Sequence, residues 1–174
     1  MSQKVYLSIG SNQGNLEHNL KFAYNNLKLV LKNIKSSSLF KTEPMYNTNQ
    51  PNFLNAVFSG ETDLDPYQLL AYIHTLEDKA GRDREKAGWK GPRPLDIDIL
   101  LYGDTVLQDP VLTIPHPLMM ERGFVLIPLA ELDDTLTDPA TGEKYTEFIK
   151  NTMKFQVSYC HSSAIFDILE PDGR

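Results

Sequence analysis

The chain has 174 residues, 41% of them hydrophobic and 23% charged, which indicates one domain with a sizeable core. Its net charge of -6 argues against general nucleic-acid binding, which needs a basic face. The single cysteine, Cys160, excludes an internal disulfide, no segment approaches a transmembrane span, and the first residues lack a signal-peptide layout, so we expect a cytoplasmic protein without a membrane partner.

The first half of the chain alternates strand and helix patterns. Val5–Ile9 is an apolar run closed by Gly10-Ser11-Asn12, and it predicts a buried first strand. A helix is predicted next by apolar residues that recur at three- and four-residue steps: Leu16, Leu20, Ala23, Leu27 and Val30. Ile34–Thr42 and Phe53–Thr62 predict the second and third strands, and the Pro- and Asn-containing stretch Glu43–Asn52 predicts a loop between them.

The second half begins with a helix at Asp65-Pro66, because Asp suits the N-cap and Pro suits the first turn. Its expected buried stripe consists of Leu69, Ile73, Leu76 and Ala80. Asp96–Tyr102 predicts the fourth strand, and Pro110–Pro117 is expected to be irregular. The remaining predicted elements are a short helix at Phe124–Leu132, a final helix at Tyr145–Thr152 and a late strand at Phe155–Tyr159.

The order strand, helix, strand, strand, helix, strand predicts a ferredoxin-like α+β fold. Such a fold is an α/β sandwich, with helices packed on a mainly antiparallel sheet. We expect residues 1–174 to form one domain, and we assign no role to the tail, residues 151–174.

Two aspartates interrupt the apolar fourth strand. Asp96 and Asp98 lie two residues apart, so their side chains point to the same face of the sheet. Two close, partly buried carboxylates are costly unless a cation lies between them, and a hard divalent cation such as Mg²⁺ suits oxygen ligands.

A basic stretch precedes the two aspartates. Six of the chain's 17 Lys and Arg residues fall between Lys79 and Arg93. Each feature alone favours an ordinary explanation, namely a surface strand edge or a solvated basic loop. Together, in an acidic chain, they favour a site where metal and basic side chains grip a polyphosphate.

Other candidate residues allow two interpretations each. Asn55, in an apolar strand, is either a structural hydrogen-bonding residue or a reader of a flat heterocycle. Phe53 shares its face and either stacks on that ring or belongs to the core. His116, between two prolines, and Arg122 are phosphate contacts or ordinary capping and surface residues. Trp89 either folds a loop onto a ligand or covers the sheet.

The joint pattern of motifs is more specific than any single one. The motifs, in chain order, are Gly10-Ser11-Asn12, Thr42-Glu43-Pro44, Phe53-Leu54-Asn55, Glu77, Gly81-Arg82-Asp83-Arg84, Gly91-Pro92-Arg93-Pro94-Leu95-Asp96-Ile97-Asp98-Ile99, Pro115-His116-Pro117 and Glu121-Arg122-Gly123-Phe124. This set closely resembles the 6-hydroxymethyl-7,8-dihydropterin pyrophosphokinases of folate biosynthesis, over roughly residues 4 to 132.

The resemblance implies diphosphate transfer from ATP to the hydroxymethyl group of a dihydropterin, with release of AMP. It implies these two small molecules as partners, and two Mg²⁺ ions held by Asp96 and Asp98. We also expect the protein to be a monomer. The residues implied for ATP binding are His74, Glu77, Arg82, Arg84, Arg93, Ile99, His116 and Arg122, and Arg82, Arg84, Arg93, Asp96 and Asp98 are the implied catalytic residues. Those implied for pterin binding are Gly10, Thr42, Glu43, Pro44, Met45, Phe53, Asn55 and Phe124.

The chain departs from the family pattern at two positions. Many members have Trp directly before Gly-Pro-Arg, whereas here Lys90 follows Trp89, and the stacking residue at Phe53 is often Tyr.

Two other classes of function compete with the pyrophosphokinase. One is another metal-dependent phosphotransferase or phosphohydrolase that uses the same aspartates. The other is a non-enzymatic ferredoxin-like module that binds RNA or a regulatory ligand, which the acidic balance and the Asp-x-Asp strand oppose.

Overall fold

The centre of the structure, a computed structural model that describes residues 1–88, 90–152 and 157–166, is an antiparallel sheet. Its strands are β1 (Gln3–Ser11), β2 (Lys32–Ser36), β3 (Leu39–Thr42), β4 (Phe53–Thr62), β5 (Asp96–Tyr102) and β8 (Val157–His161). Strands β6 (Leu107–Gln108) and β7 (Thr113–Ile114) form a separate two-stranded sheet. The strand order is β5-β1-β4-β3-β8, and β2 pairs with the other half of β4. This places β1 and β4 in the middle, where their backbone groups are paired on both sides.

Helices cover both faces of the sheet. They are α1 (Leu16–Leu27), α2 (Pro66–Lys79), the single turn α3 (Arg84–Ala87), α4 (Gly123–Leu132) and the single turn α5 (Ile149–Thr152), with short 3₁₀ segments at Met119–Glu121, Tyr145–Phe148 and Ser163–Phe166. One apolar core joins α1 and α2 to the sheet, and a second joins α4 to the opposite face. Among the described residues, none of the helices has the length and apolar character needed to cross a bilayer.

This architecture confirms the predicted ferredoxin-like α+β fold. The predicted first four strands correspond to β1, the pair β2 and β3, β4, and β5, and they are crossed by α1 and α2 in the expected order. All pairings within the main sheet are antiparallel. Trp89, and Phe155 of the predicted late strand, lie outside the described residues.

The predicted second strand is in fact two strands, with a break at Ser37-Ser38. The Oγ of Ser37 accepts a hydrogen bond from the backbone N–H of Val57 at 2.9 Å, and the backbone N–H of Ser38 donates to Glu131 Oε1 at 2.7 Å. Serine side chains and their neighbours thus replace ladder bonds at the break. Pro110–Pro117 also differs from the prediction, since it contains β7, and α1 ends before Val30.

A register shift between β1 and β5 moves two consecutive leucines into the core beneath α4. Tyr6 pairs with Leu101 and Leu7 pairs with Ile99, so Leu100 is the extra residue. Leu100 and Leu101 both pack with Tyr6 in the α4-side core. Regular alternation resumes at Asp98, so the two aspartates stay on this same face, just past the apolar packing.

A capping box fixes the start of α2. The carboxylate of Asp65 accepts a hydrogen bond from the backbone N–H of Gln68 at 2.9 Å, and the Gln68 side chain accepts one from the backbone N–H of Asp65 at 2.9 Å. Leu69, Ile73 and Leu76 are then buried along one side of the helix, as predicted. The cap thereby orients the helix that carries Glu77 toward the sheet.

We predict that Asp65→Ala lowers the free energy of unfolding by about 1 kcal/mol, because the first turn of α2 loses its side-chain acceptor. Urea unfolding measures the change. Asp65→Ser is the matched control, since a serine hydroxyl can accept the same bond, and it should stay within a few tenths of a kcal/mol of the parent. Equal losses in both variants would contradict the capping explanation.

Candidate active site

The two aspartates lie on the α4-side face of the sheet, beside residues too small to cover them. Asp96 pairs with Gly10 and Asp98 pairs with Ser8 in the β1–β5 register. A Cβ atom at Gly10 would lie 2.7 Å from Asn55 Oδ1 on the other neighbouring strand, closer than such atoms approach. Glycine is therefore required where Asn55 crosses toward β1, and the absence of a side chain there leaves space above the sheet.

Arginines hold the first aspartate from both sides. Arg82 Nη1 lies 2.9 Å from Asp96 Oδ1, and Arg93 Nη2 lies 3.1 Å from Asp96 Oδ2. Burial alone would raise the pKa of Asp96, but the nearby charges of Arg93 and Arg82 outweigh it and lower the pKa below its usual value. Asp96 is therefore a carboxylate at neutral pH.

Glu77 orders the arginines that follow α2. It is buried near the C-terminal end of α2, and its Oε2 accepts a hydrogen bond from Arg82 Nη1. Its Oε1 lies 3.4 Å from Arg84 Nη2, and Arg84 also pairs with Asp78 at 3.0 Å. A buried carboxylate that binds two guanidinium groups fixes their directions, so Glu77 acts as a positioning residue for this cluster.

The second aspartate has weaker cationic support. Asp98 Oδ2 lies 3.8 Å from Arg122 Nη1 and 3.9 Å from His116 Nε2, beyond hydrogen-bonding distance. Burial, followed by the charge of Asp96, raises the pKa of Asp98 to about 6. The positive charge around the pair therefore compensates Asp98 less closely than Asp96.

The imidazole of His116 is held in one orientation. Its backbone N–H donates to Leu100 O at 3.0 Å, and its Nδ1 accepts from the backbone N–H of Leu118 at 3.2 Å. Burial, followed by the charge of Arg122, lowers the pKa of His116 to about 4, so the ring is neutral at pH 7. With Nδ1 an acceptor, the proton is on Nε2, which faces Asp98 and the cavity.

Two buried arginine donors have no hydrogen-bond partner in the described part of the chain. They are the Nε atoms of Arg93 and Arg122, which lie on opposite sides of the aspartate pair. A buried, unpaired donor is unfavourable, so a ligand that supplied an acceptor at these atoms would be stabilised. The two arginines are suited to an anion with several oxygen acceptors.

A cavity of about 470 Å³ opens over this face of the sheet. It is lined by fifteen of the residues proposed from the sequence: Gly10, Thr42, Glu43, Pro44, Met45, Phe53, Asn55, Arg82, Arg84, Arg93, Asp96, Asp98, His116, Arg122 and Phe124. Asn55 and Thr42 line it together with Phe53 and Phe124, and Asn55 Nδ2 donates a hydrogen bond to Thr42 Oγ1 at 2.5 Å. The structural role considered for Asn55 is therefore present, and its side chain also faces the cavity.

A second cavity, of about 350 Å³, runs past the edge of β5. His74, Glu77 and Ile99, the remaining proposed residues, line it. Burial, followed by the charge of Arg84, lowers the pKa of His74. The two cavities share Arg82, Arg84, Asp96, Asp98, His116 and Pro117. The aspartate pair thus stands where two binding spaces meet.

Three contacts that the sequence did not reveal connect the loops around the first cavity. Gln50 Nε2 donates to Lys90 O at 3.0 Å, and Gln50 Oε1 accepts from Asn12 Nδ2 at 3.0 Å. Lys90 Nζ lies 4.9 Å from the centre of the Tyr46 ring, over its face. The basic stretch contained Lys90, but its partners lie about forty residues away in the chain, so spacing alone could not find them.

The donor set fits a hard divalent cation that a ligand helps to bind. Within residues 1–88, 90–152 and 157–166, no three acidic, His or Cys side chains gather as a metal site. Mg²⁺ is commonly bound by one or two carboxylates and completed by water and substrate phosphates. Asp96 and Asp98 match that pattern, and the raised pKa of Asp98 marks the position where added positive charge would be stabilising.

Comparison with known proteins agrees with this geometry. Residues 6–134 match the family model of 7,8-dihydro-6-hydroxymethylpterin-pyrophosphokinase, abbreviated HPPK. The chain belongs to the HPPK family. This confirms the resemblance seen in the motifs. The 2-amino-4-hydroxy-6-hydroxymethyldihydropteridine pyrophosphokinase of Aquifex aeolicus is 38% identical over 151 residues, which cover 86% of this chain and 93% of that protein.

HPPK relatives also include much longer proteins. The Folic acid synthesis protein fol1 of Pneumocystis carinii is 36% identical over 160 residues, which cover 90% of this chain but 21% of that protein. The chain therefore spans about a fifth of the length of this relative. A Plasmodium falciparum HPPK-DHPS crystal structure superposes with a TM-score of 0.73 at 15% sequence identity, over 88% of this chain and 46% of the Plasmodium chain. This similarity supports the fold.

We predict that Asp98→Asn stabilises the metal-free protein at pH 8 more than at pH 5. A carboxyl group whose pKa rises on folding favours the folded state at low pH, and this advantage disappears as pH rises from about 4 to about 6. Removing the charge should recover roughly 1–2 kcal/mol at pH 8, allowing for solvent screening of the partly exposed side chain. Urea unfolding in the presence of a chelator measures this, and a gain equal at both pH values would contradict it.

Proposed function

We propose that this chain transfers the terminal diphosphate of ATP to the hydroxymethyl group of 6-hydroxymethyl-7,8-dihydropterin and releases AMP. The observation that carries the proposal is the meeting of two cavities at one pair of aspartates. A reaction that joins a flat polar ring to a nucleotide needs adjoining sites for both substrates. Membership of the HPPK family and the names of its relatives support the same reaction.

ATP would bind in the second cavity, with its triphosphate extending over the aspartates into the first. Ile99 would contact the adenine, with His74 and Glu77 nearby. The positive and hydrogen-bonding groups available to the phosphates are Arg82, Arg84, Arg93, His116 and Arg122. The unpaired Nε atoms of Arg93 and Arg122 would find acceptors there. Such preorganised donors stabilise charge that develops on the leaving AMP and the transferred group.

Asp96 and Asp98 would hold Mg²⁺, and we propose two ions. Bound Mg²⁺ would neutralise phosphate oxygens and lower the pKa of the attacking hydroxyl. Arg82 and Arg93 keep Asp96 ionised for this purpose, while Asp98 needs added positive charge. Among the described residues that line both cavities, no carboxylate other than Asp96 and Asp98 stands out as a dedicated base, and none is needed if the metal binds the hydroxyl.

The pterin would bind at the inner end of the first cavity. Phe53 and Phe124 would stack on its two faces, and the Arg93 guanidinium already lies 5.0 Å from the Phe53 ring centre. Asn55 and the backbone of Thr42–Met45 would read its polar edge, and Gly10 would allow the ring to approach. The hydroxymethyl group would then point toward the aspartates, where the phosphates enter.

We also propose that the protein is a cytoplasmic monomer that acts on these small molecules without a nucleic-acid partner. The net charge of -6 supports the last point, since general nucleic-acid binding needs a basic face. The competing metal-dependent phosphotransferase or phosphohydrolase would use the same aspartates but would not need a pterin. Product analysis with ATP, Mg²⁺ and the pterin separates the two: AMP and a pterin diphosphate support our proposal, and ADP or pterin-independent hydrolysis supports the competitor.

We predict that Asp96→Asn reduces turnover by at least about a hundredfold at saturating Mg²⁺, because one of only two carboxylates for the metal is lost. Asp78→Asn is the matched control, since Asp78 is an exposed carboxylate that contacts Arg84 but lines neither cavity. It should retain turnover within a few-fold. Near-normal turnover in Asp96→Asn would contradict the metal assignment.

We predict that Asn55→Ala weakens pterin binding by about tenfold to a hundredfold, because an unpaired buried polar edge costs about 1–3 kcal/mol. ATP affinity should change little, since the groups proposed to bind the phosphates are the arginines, His116 and the metal at the aspartate pair, and Asn55 is not one of them. Calorimetry with each ligand, together with the melting temperature, measures the two effects. Because Asn55 also bonds Thr42, loss of both ligands together with the fold would show a purely structural role instead.

A further inference from the structure

The C-terminal segment lies outside residues 6–134, which match the family model. Its residues 151–152 and 157–166 contact two elements that carry residues of the first cavity, β3 and the start of α4. Its strand β8 pairs antiparallel with β3, the short strand that ends at Thr42. In that register Val157 stands directly opposite Thr42. Thr42 is the residue that accepts the hydrogen bond from Asn55. The segment therefore supports one wall of the cavity through the backbone.

The same segment also packs against the start of α4. A Cβ atom at Gly123 would lie 2.9 Å from Thr152 Oγ1 and 3.5 Å from Val157 Cγ2. Thr152 is buried, and its hydroxyl donates to Ile149 O at 2.7 Å, which holds it in place. Gly123 separates Arg122 from Phe124, so this contact sets the position of the opposite wall.

The segment is anchored on the far side of the sheet as well. The Phe166 ring stacks on Tyr24 of α1 with centroids 4.6 Å apart, and it meets Phe58 of β4 edge-on at 5.4 Å. Val157 faces α4 and Phe166 faces α1, so the segment passes from one face of the sheet to the other around the β3 edge. Aromatic packing of this kind resists local opening more than strand pairing alone.

We infer that Val157 and Thr152 are positioning residues for the pterin-binding half of the site. They fix the distance between the Thr42–Asn55 wall and the Phe124 wall without touching the ligand. The inference rests on the proposed function, because it assigns the first cavity to the pterin. The physical reason is that β3 has only four residues, so its pairing with β8, in addition to β4, supplies a large share of the backbone hydrogen bonds that hold it.

The first test compares two neighbouring residues of β8. Val157→Ala removes the methyl groups that face Gly123, and we expect it to raise the dissociation constant for the pterin by about threefold to tenfold. The affinity for the ATP analogue αβ-methylene ATP should change by less than about twofold. Ser158→Ala, on the same strand but exposed and facing the other way, should leave both affinities unchanged.

The second test uses the close contact at Gly123. Gly123→Ala places a methyl group against Thr152 Oγ1, so the start of α4 must shift and pterin affinity should fall. Adding Thr152→Ala removes that oxygen, and the double variant should recover a large part of the lost affinity. A merely destabilising pair of substitutions would instead give additive losses.

Hydrogen exchange on the ligand-free protein separates this inference from the proposed function. Val157→Ala should speed exchange of the backbone amides of Leu39–Thr42, and Ser158→Ala should not. If the parent protein fails to bind the pterin, the proposed function is wrong, while faster exchange in Val157→Ala still supports the positioning role. Three results would overturn the inference: unchanged amide exchange in Val157→Ala, an equal loss of affinity for the pterin and the ATP analogue in that variant, or no recovery of pterin affinity in the double variant.

Discussion

The structure depends on two carboxylates that alternate along one strand and therefore share one face of a sheet. Asp96 and Asp98 lie close together in a partly buried position, where burial, followed by the charge of Asp96, raises the pKa of Asp98. Two guanidinium groups lie within 3.1 Å of Asp96, whereas the nearest cation to Asp98 among the described residues is Arg122, at 3.8 Å. The imbalance favours a ligand that brings positive charge to one side of the pair.

The surrounding fold keeps this imbalance in place. Glu77, buried on α2, directs Arg82 and Arg84 from one side. On the other side, a hydrogen bond to the β5 backbone fixes His116, and α4 begins immediately after Arg122. The two groups come from opposite faces of the sheet, and they converge because β5 is its edge strand. An edge strand lets side chains from both faces meet around it.

Much of this arrangement is predictable from the sequence because it depends on local periodicity. A two-residue repeat places Asp96 and Asp98 on one face, a helical repeat buries Leu69, Ile73 and Leu76, and a capping pattern starts α2 at Asp65. The family motifs then pointed to residues that the fold does bring to two adjoining cavities. Their individual roles stay predictions, since proximity alone does not show which ligand each side chain contacts.

The features that sequence reasoning missed are set by contacts between distant segments. The break between β2 and β3 depends on Ser37 bonding to Val57, twenty residues away. The Gln50–Lys90 hydrogen bond spans forty residues. Val157 packs against Gly123, which joins the tail to the start of α4, although sequence patterns assign no role to the tail. Neither hydrophobic periodicity nor turn chemistry carries information about such pairs.

The central claim is that the aspartate pair binds a nucleotide only together with a divalent cation. Calorimetric titration with αβ-methylene ATP tests it directly, because this analogue keeps the triphosphate and blocks cleavage between the α and β phosphorus atoms. We expect the affinity for this analogue to fall by at least about tenfold when Mg²⁺ is replaced by a chelator at constant ionic strength. Equal affinity with and without Mg²⁺ would contradict it.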